Sequence, residues 1–182
     1  MAKDKIFSNL MKEIVDGKFV LTGELEPVKE GNIEPTIDAA RRLKGHVVAC
    51  NVTDNPQSFG YVNSIMSAFI VQTKTRMECI AQMRCSDRNR LALLSDVLGA
   101  GLLGVRNVLA ITGDYVSLGD NSGAKPVYDL DSTTLTHMIS RVVKEGKDLN
   151  GNDVKDPPEL HIAVAANPGA EILEVELYKL KR

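Results

Sequence analysis

Two carboxylates in this chain stand where α/β proteins do their chemistry. Glu24 closes the run Val20-Leu21-Thr22-Gly23, and Asp114 closes Asn107-Val108-Leu109-Ala110-Ile111-Thr112-Gly113. An apolar, partly β-branched run that ends in a hydroxyl, a glycine and an acid reads as a buried parallel strand with its working groups at the C-terminal end. Ligands collect at that end of the strands in α/β folds. The pattern recurs: His46 to Asp54 ends in Thr53 and Asp54, Cys79 to Cys85 carries Gln82 and Arg84, and Leu160 to Pro168 carries Asn167. Five strands presenting acids, amides, hydroxyls and a cation at one end point to an enzyme.

The intervening segments must position those groups. The strand ends Glu24, Thr53, Cys85 and Gly113 lie about 30 residues apart, close to one eighth of a roughly 250-residue (β/α)8 barrel. Glu34-Pro35 places a proline in the first turn of a helix carrying Ile37, Ala40 and Leu43. Ser58 is expected to cap a helix with Val62, Ile65, Met66 and Phe69, and Asp87 one with Leu91, Leu94, Val97 and Leu98. Asp131-Ser132-Thr133 opens a helix with Leu135, Met138, Ile139, Val142 and Val143, and a last helical pattern spans 170–182. Gly99, Gly101 and Gly104 read as helix termination rather than a phosphate cradle, and no GxGxxG follows the first strand. Two longer loops remain: Tyr115 to Pro126 on the active face, the better functional candidate, and Lys147 to Pro158 on the opposite face, a surface insertion. The expected class is α/β, a single domain over residues 1–182. Strand grammar alone leaves an open doubly wound sheet and a barrel both standing.

Composition narrows the setting. Of 182 residues, 43% are hydrophobic and 25% charged, with a net charge of −2, an ordinary globular balance with material for a core. No basic patch predicts nucleic-acid or anionic-membrane binding. The apolar runs are strand-sized, and no signal peptide opens the chain, so no membrane span and a cytoplasmic location are expected. Cys50, Cys79 and Cys85, odd in number and without CxxC spacing, read as small buried hydrophobes. His46, His137 and His161 lack ligand spacing and are expected to be structural or exposed, and no metal is expected.

With these residues in hand, the chain resembles the methylenetetrahydrofolate reductase family over nearly its whole length. The resemblance rests on Gly23-Glu24-Leu25-Glu26-Pro27, Asn51-Val52-Thr53, Gln82-Met83-Arg84-Cys85-Ser86-Asp87-Arg88-Asn89, Leu98-Gly99-Ala100, Gly104-Val105-Arg106-Asn107, Leu109-Ala110-Ile111-Thr112-Gly113-Asp114 and Val164-Ala165-Ala166-Asn167-Pro168. Each is weak alone; their order and spacing together are specific. It implies a (β/α)8 TIM-barrel type of which about five βα units are present, with FAD bound (FMN being the alternative) and 5,10-methylenetetrahydrofolate reduced to 5-methyltetrahydrofolate. Family members continue through three further strands, one bearing a glutamine that meets the pterin. The 182-residue chain by itself is therefore expected to be an impaired catalyst with open first and fifth strand edges. The sequence departs from the family in three places. Glu24 is followed by Leu-Glu-Pro-Val where many members have two prolines, Gln82 stands where many have histidine, and Thr112 where many have arginine.

The resemblance also assigns roles. Reducing the methylene bridge requires protonation at N10, which opens the ring to an electrophilic iminium at N5 for a flavin hydride to attack; Glu24 matches the family's general acid. Asp114 matches the aspartate between flavin and pterin, able to accept from pterin NH groups and to lower the flavin potential. Glu24 and Asp114 are thus both catalytic and substrate-binding candidates. The cofactor candidates are Thr53, Asp54, Gln82, Thr112, Gly113, Asp114 and Tyr128, the last beside the adenine. Asn167, Glu176, Lys179 and Arg182 are candidates at the ribose and phosphates. Arg84 is left between substrate and flavin. NADH, NADPH or an electron-transferring partner subunit are all compatible as donor, with a homo-oligomer also open. The competing expectations are a non-catalytic fragment or subunit of such a reductase, and an unrelated parallel α/β ligand-binding domain.

Overall fold

The structure is a computed structural model and describes residues 5–181; Arg182 lies outside the described residues. In chain order the elements are α1 (Asn9–Val15), β1 (Thr22–Leu25), α2 (Glu34–Leu43), β2 (Ala49–Val52), α3 (Ser64–Thr75), β3 (Glu78–Arg84), α4 (Arg90–Leu102), β4 (Asn107–Ile111), α5 (Ser132–Glu145), β5 (His161–Val164) and α6 (Leu173–Leu180). All strands are parallel and lie in the order β1-β2-β3-β4-β5. A doubly wound sheet reverses its strand order at a switch point. This one never reverses, which is the singly wound order of a (β/α)8-type barrel. The sheet is not closed: β1 pairs only with β2, and β5 only with β4, among the described residues.

Strand alternation divides the molecule into two apolar layers. Cys50, Val52, Cys79, Ala81, Met83, Val108 and Ala110 face outward and pack with Ile37, Val71, Leu93, Val97, Leu135 and Ile139 of the covering helices. Ala49 and Ile80 face the other way and pack with Leu10 of α1. The three cysteines behave as expected, buried and free of disulfides. Desolvation pushes their thiols up, Cys85 to about 12, so none is a ready nucleophile.

α1 was not expected from the sequence, and it plugs the N-terminal mouth of the sheet. Ser8 caps it, accepting from the Met11 N–H at 3.1 Å, and donates to Asn107 Oδ1 at 2.7 Å. Glu78, at the start of β3, accepts the Asn9 and Leu10 N–H groups at 2.9 and 3.0 Å and the Asn107 amide at 2.9 Å. An acid facing a helix start satisfies otherwise orphaned donors and opposes the helix dipole. His161 Nε2 accepts from the Phe7 N–H at 2.8 Å, a structural role.

Other helix starts confirm or correct the sequence reading. α2 carries its proline at the first turn. α5 is capped by Asp131 in a reciprocal box with Thr134. α3 is capped by Asn63, not Ser58, and α4 by Asn89, not Asp87. Ser58 and Asp87 are drawn instead into a polar network described below. α6 covers Leu173–Leu180 only and buries none of its residues. Of the three glycines read as helix termination, only Gly104 (φ +73°) follows α4. Gly99 and Gly101 lie within it, and a Cβ on Gly101 would sit 2.3 Å from Pro158 Cβ. The 147–158 loop thus seats its proline on a helix surface that only glycine leaves open.

The plug yields the first prediction. Leu10→Ala removes the α1 side chain packed on Ala49 and Ile80 and should cost about 2–3 kcal/mol in urea unfolding. A loss under about 0.5 kcal/mol, the size of a surface substitution, would show that α1 is not docked.

Candidate active site

The C-terminal ends of β2 and β3 are tied together by buried charge. Asp54 is 3% exposed. Its carboxylate accepts the Arg84 N–H at 3.1 Å and pairs with Arg88, whose Nη2 donates at 3.1 Å. Arg88 also reaches Asp96 at 3.3 Å. Burial works against the Arg88 charge, but the Asp54 hydrogen bond and the surrounding acids hold its pKa above the ordinary value. Burial, only partly offset by Arg88, pushes Asp96 up. Arg84, 4% exposed, sends Nε and Nη2 to Asp87 Oδ2 at 3.1 and 2.7 Å, and Nη1 to the Asn55 carbonyl at 2.8 Å and the Ser58 hydroxyl at 3.1 Å. Burial acts to raise the Asp87 pKa, yet its bonds to Arg84 and the nearby Arg88 charge hold the carboxyl below its ordinary value.

Above this network the backbone is strained. Asn55, Gln57 and Ser58 take positive φ of 46°, 56° and 60°. Non-glycine residues in that region cost of order 1–3 kcal/mol each and persist only where the surroundings impose them. The turn is directed at Asp114: the Gln57 N–H donates to Asp114 Oδ2 at 2.9 Å, and the Ser58 hydroxyl donates to the Asp114 carbonyl at 3.1 Å. That carbonyl also accepts the Tyr128 hydroxyl at 2.8 Å, with Tyr128 itself at φ 44°. Gly119 closes over the turn, where a Cβ would lie 1.9 Å from the Ser58 carbonyl oxygen. Gly113, at φ +90°, crosses β3 so closely that a Cβ would sit 2.7 Å from Ser86 Oγ and 3.0 Å from Arg84 Cβ.

The sequence-predicted residues fall into three groups. Gly113, Asp114 and Tyr128 are brought together, and Asp54 lies beneath them with its carboxylate engaged inside the protein. Thr53 is 6% exposed, and its hydroxyl lacks a hydrogen-bond partner among the described residues. Asn167, Glu176 and Lys179 form a second group: Glu176 accepts the Asn167 N–H at 2.9 Å and Lys179 at 3.4 Å. Glu176 and Lys179 line a cleft with Ser132, Thr133, His137 and Val164 between α5, β5 and α6. Thr112 sits at its edge, accepting the Ser132 N–H at 3.1 Å, and so closes the start of α5. Glu24 stands apart, exposed on β1, in the hydrogen-bonding row of Asn51, Ile80, Asn107 and His161. Gln82 lies further along β3 than that row, and Asp114 lies beyond the end of β4. Sequence reasoning missed Gln57 and Ser58. Their signal was Asn55-Pro56, a turn-forming pair, facing a glycine-bearing loop at 115–126.

Comparison of the chain with known families finds one of them. The family model described as methylenetetrahydrofolate reductase matches residues 9–181. The chain belongs to the methylenetetrahydrofolate reductase family. Comparison with curated proteins gives no match. Membership implies an oxidoreductase of folate one-carbon metabolism, in a family that is generally flavin-dependent. No helix among the described residues is long and apolar enough to cross a membrane. Among the same residues no group of three or more His, Cys, Asp or Glu could hold a metal ion.

Two predictions follow from the packing. Gly113→Ala combines a left-handed φ with contacts under van der Waals distance, so a loss of about 2 kcal/mol or more is expected in chemical unfolding. A neutral result would mean that β4 does not cross β3 this closely. Asp87 is bound in its ionised form, with a folded-state pKa below 3.8. Its contribution is full above that value and fades as pH falls through the depressed folded-state pKa. The stability gap between the native chain and Asp87→Asn should hold steady from neutrality and shrink below pH 3.8. A gap that persisted unchanged at the acid limit would place Asp87 outside the ion pair.

Proposed function

We propose that this chain carries the folate- and flavin-facing groups of a reductase converting 5,10-methylenetetrahydrofolate to 5-methyltetrahydrofolate. The observation that carries the reading is Asp114: its backbone oxygen and Oδ2 are fixed by Ser58, Tyr128 and Gln57. The carboxylate is otherwise exposed, so Oδ1 is available to a ligand. A carboxylate immobilised at a strand end suits a planar ring that offers amino and ring NH donors.

The residues present fit a flavin. Thr53 has a buried hydroxyl with no partner among the described residues, and Gly113 leaves bare backbone where a side chain would clash. The cleft beside α5 and α6 carries Lys179, paired with Glu176 at 3.4 Å, and a phosphate-bearing ligand would draw on that cation. That cleft favours FAD over FMN, since it gives an adenosine half somewhere to lie. In this reading Thr53, Gln82, Thr112 and Gly113 line the ring side, and Tyr128 offers its face to the adenine. Asn167, Glu176, Lys179 and, from the resemblance, Arg182 serve the ribose and phosphates. Asp54 acts from beneath, through Arg88 and the Arg84 amide. When bound, the flavin supplies the electron pair that reduces the methylene carbon. Glu24 holds the proton destined for N10, and Asp114 holds the pterin in register. The electron donor belongs to the same proposal, as NADH, NADPH or a partner subunit, as does a cytoplasmic setting.

Glu24→Gln should reduce folate turnover roughly 10²–10⁴-fold, the range of a lost general acid, while flavin reduction by the donor survives. Equal loss of both half-reactions would reject the assignment. Asp114→Asn should weaken folate binding and make the flavin potential more positive. An unchanged potential in a redox titration would count against a carboxylate beside the flavin.

A further inference from the structure

We infer that Arg84 is a positioning residue for Asp114, acting through the left-handed turn at 55–58; its catalytic consequence rests on the folate reading above. Arg84 stands at the end of β3 and is 4% exposed, and its fork is spent on Asp87, Asn55 and Ser58. A guanidinium so engaged does not reach a ligand. It reaches Asp114 in two steps: Arg84 Nη1 donates to Ser58 Oγ at 3.1 Å, and Ser58 Oγ donates to the Asp114 carbonyl at 3.1 Å.

The second bond of Nη1, to the Asn55 carbonyl at 2.8 Å, fixes the other end of the turn. Pro56 and Gln57 lie between these two anchors, so the Gln57 N–H has little choice of direction, and it points at Asp114 Oδ2. Asp87 completes the clamp, since the Asn55 amide donates to the same Oδ2 that Arg84 uses, at 3.3 Å. From outside, Gly119 closes on the Ser58 backbone. Asn55, which tolerates the left-handed region, and Gln57 and Ser58, which seldom enter it, are thus held there together. Among the described residues the only cation bonded to the turn is Arg84. Lysine would keep the charge but lose the fork that binds carboxylate, carbonyl and hydroxyl together.

The test is amide hydrogen exchange at Gln57, read by NMR in the native chain, Arg84→Met and Ser58→Ala. Thermal melting checks that each variant is folded. Ser58→Ala is the milder change and decides the matter if loss of the buried cation prevents folding. Gln57 exchange should accelerate about tenfold or more in both variants, the loss of roughly one hydrogen bond, while Met138 and Ile139 in α5 stay protected. In the flavin-loaded enzyme the folate KM should rise by a similar factor with flavin content retained. Unchanged Gln57 exchange in folded Ser58→Ala would overturn the inference. The exchange readout needs neither flavin nor folate, so failure of the functional reading would appear separately, as absence of turnover in the native chain.

Discussion

A guanidinium cannot be withdrawn from water without partners for its donors and its charge. Arg84 is withdrawn almost completely at the end of β3, and much of the upper face is arranged around that fact. Asp87 is held ionised to meet it, and so is not free to cap α4. The 55–58 turn takes three left-handed residues to bring a carbonyl and a hydroxyl to it. Asp54 binds its backbone N–H and the neighbouring Arg88. Such pairs are poor sources of net stability, and breaking one is costly. What they supply here is geometry.

The candidate site sits on top of that geometry. Gly113 passes over Arg84 and Ser86 without a side chain, so β4 delivers Asp114 close to the end of β3. Asp114 then takes bonds from two loops, Ser58 and Gln57 on one side and Tyr128 on the other. Glu24 is treated differently. It lies on a short edge strand with no comparable scaffold, and its surroundings are solvent. Both acids are exposed, but only Asp114 is held by neighbouring loops.

The sequence disclosed whatever depended on period and local chemistry. Strand positions followed from apolar runs, and the cysteines from their lack of spacing. The α5 start was legible because Asp131 and Thr134 cap each other within one turn. Ser58 and Asp87 misled for the opposite reason. Each is a good cap by type, but the helices begin further on, after Asn63 and Asn89, and both side chains instead meet an arginine brought near only by the fold. Gly101 misled in the same way, because its partner Pro158 lies far along the chain. α1 was missed although Ser8 caps it locally, because it is only seven residues long and is fixed mainly by Glu78, which arrives from β3. Family membership was legible because motif order survives where any single motif is weak.

In the proposed function, electrons pass between a flavin and a folate at the C-terminal end of the sheet, where Asp114 and Glu24 stand on different strands. The direct measurement is the visible spectrum of the flavin-loaded protein under anaerobic titration with 5-methyltetrahydrofolate. The oxidised flavin band should fall as the folate is oxidised, and Glu24→Gln should slow this change. An oxidised spectrum unaltered by saturating 5-methyltetrahydrofolate would contradict it.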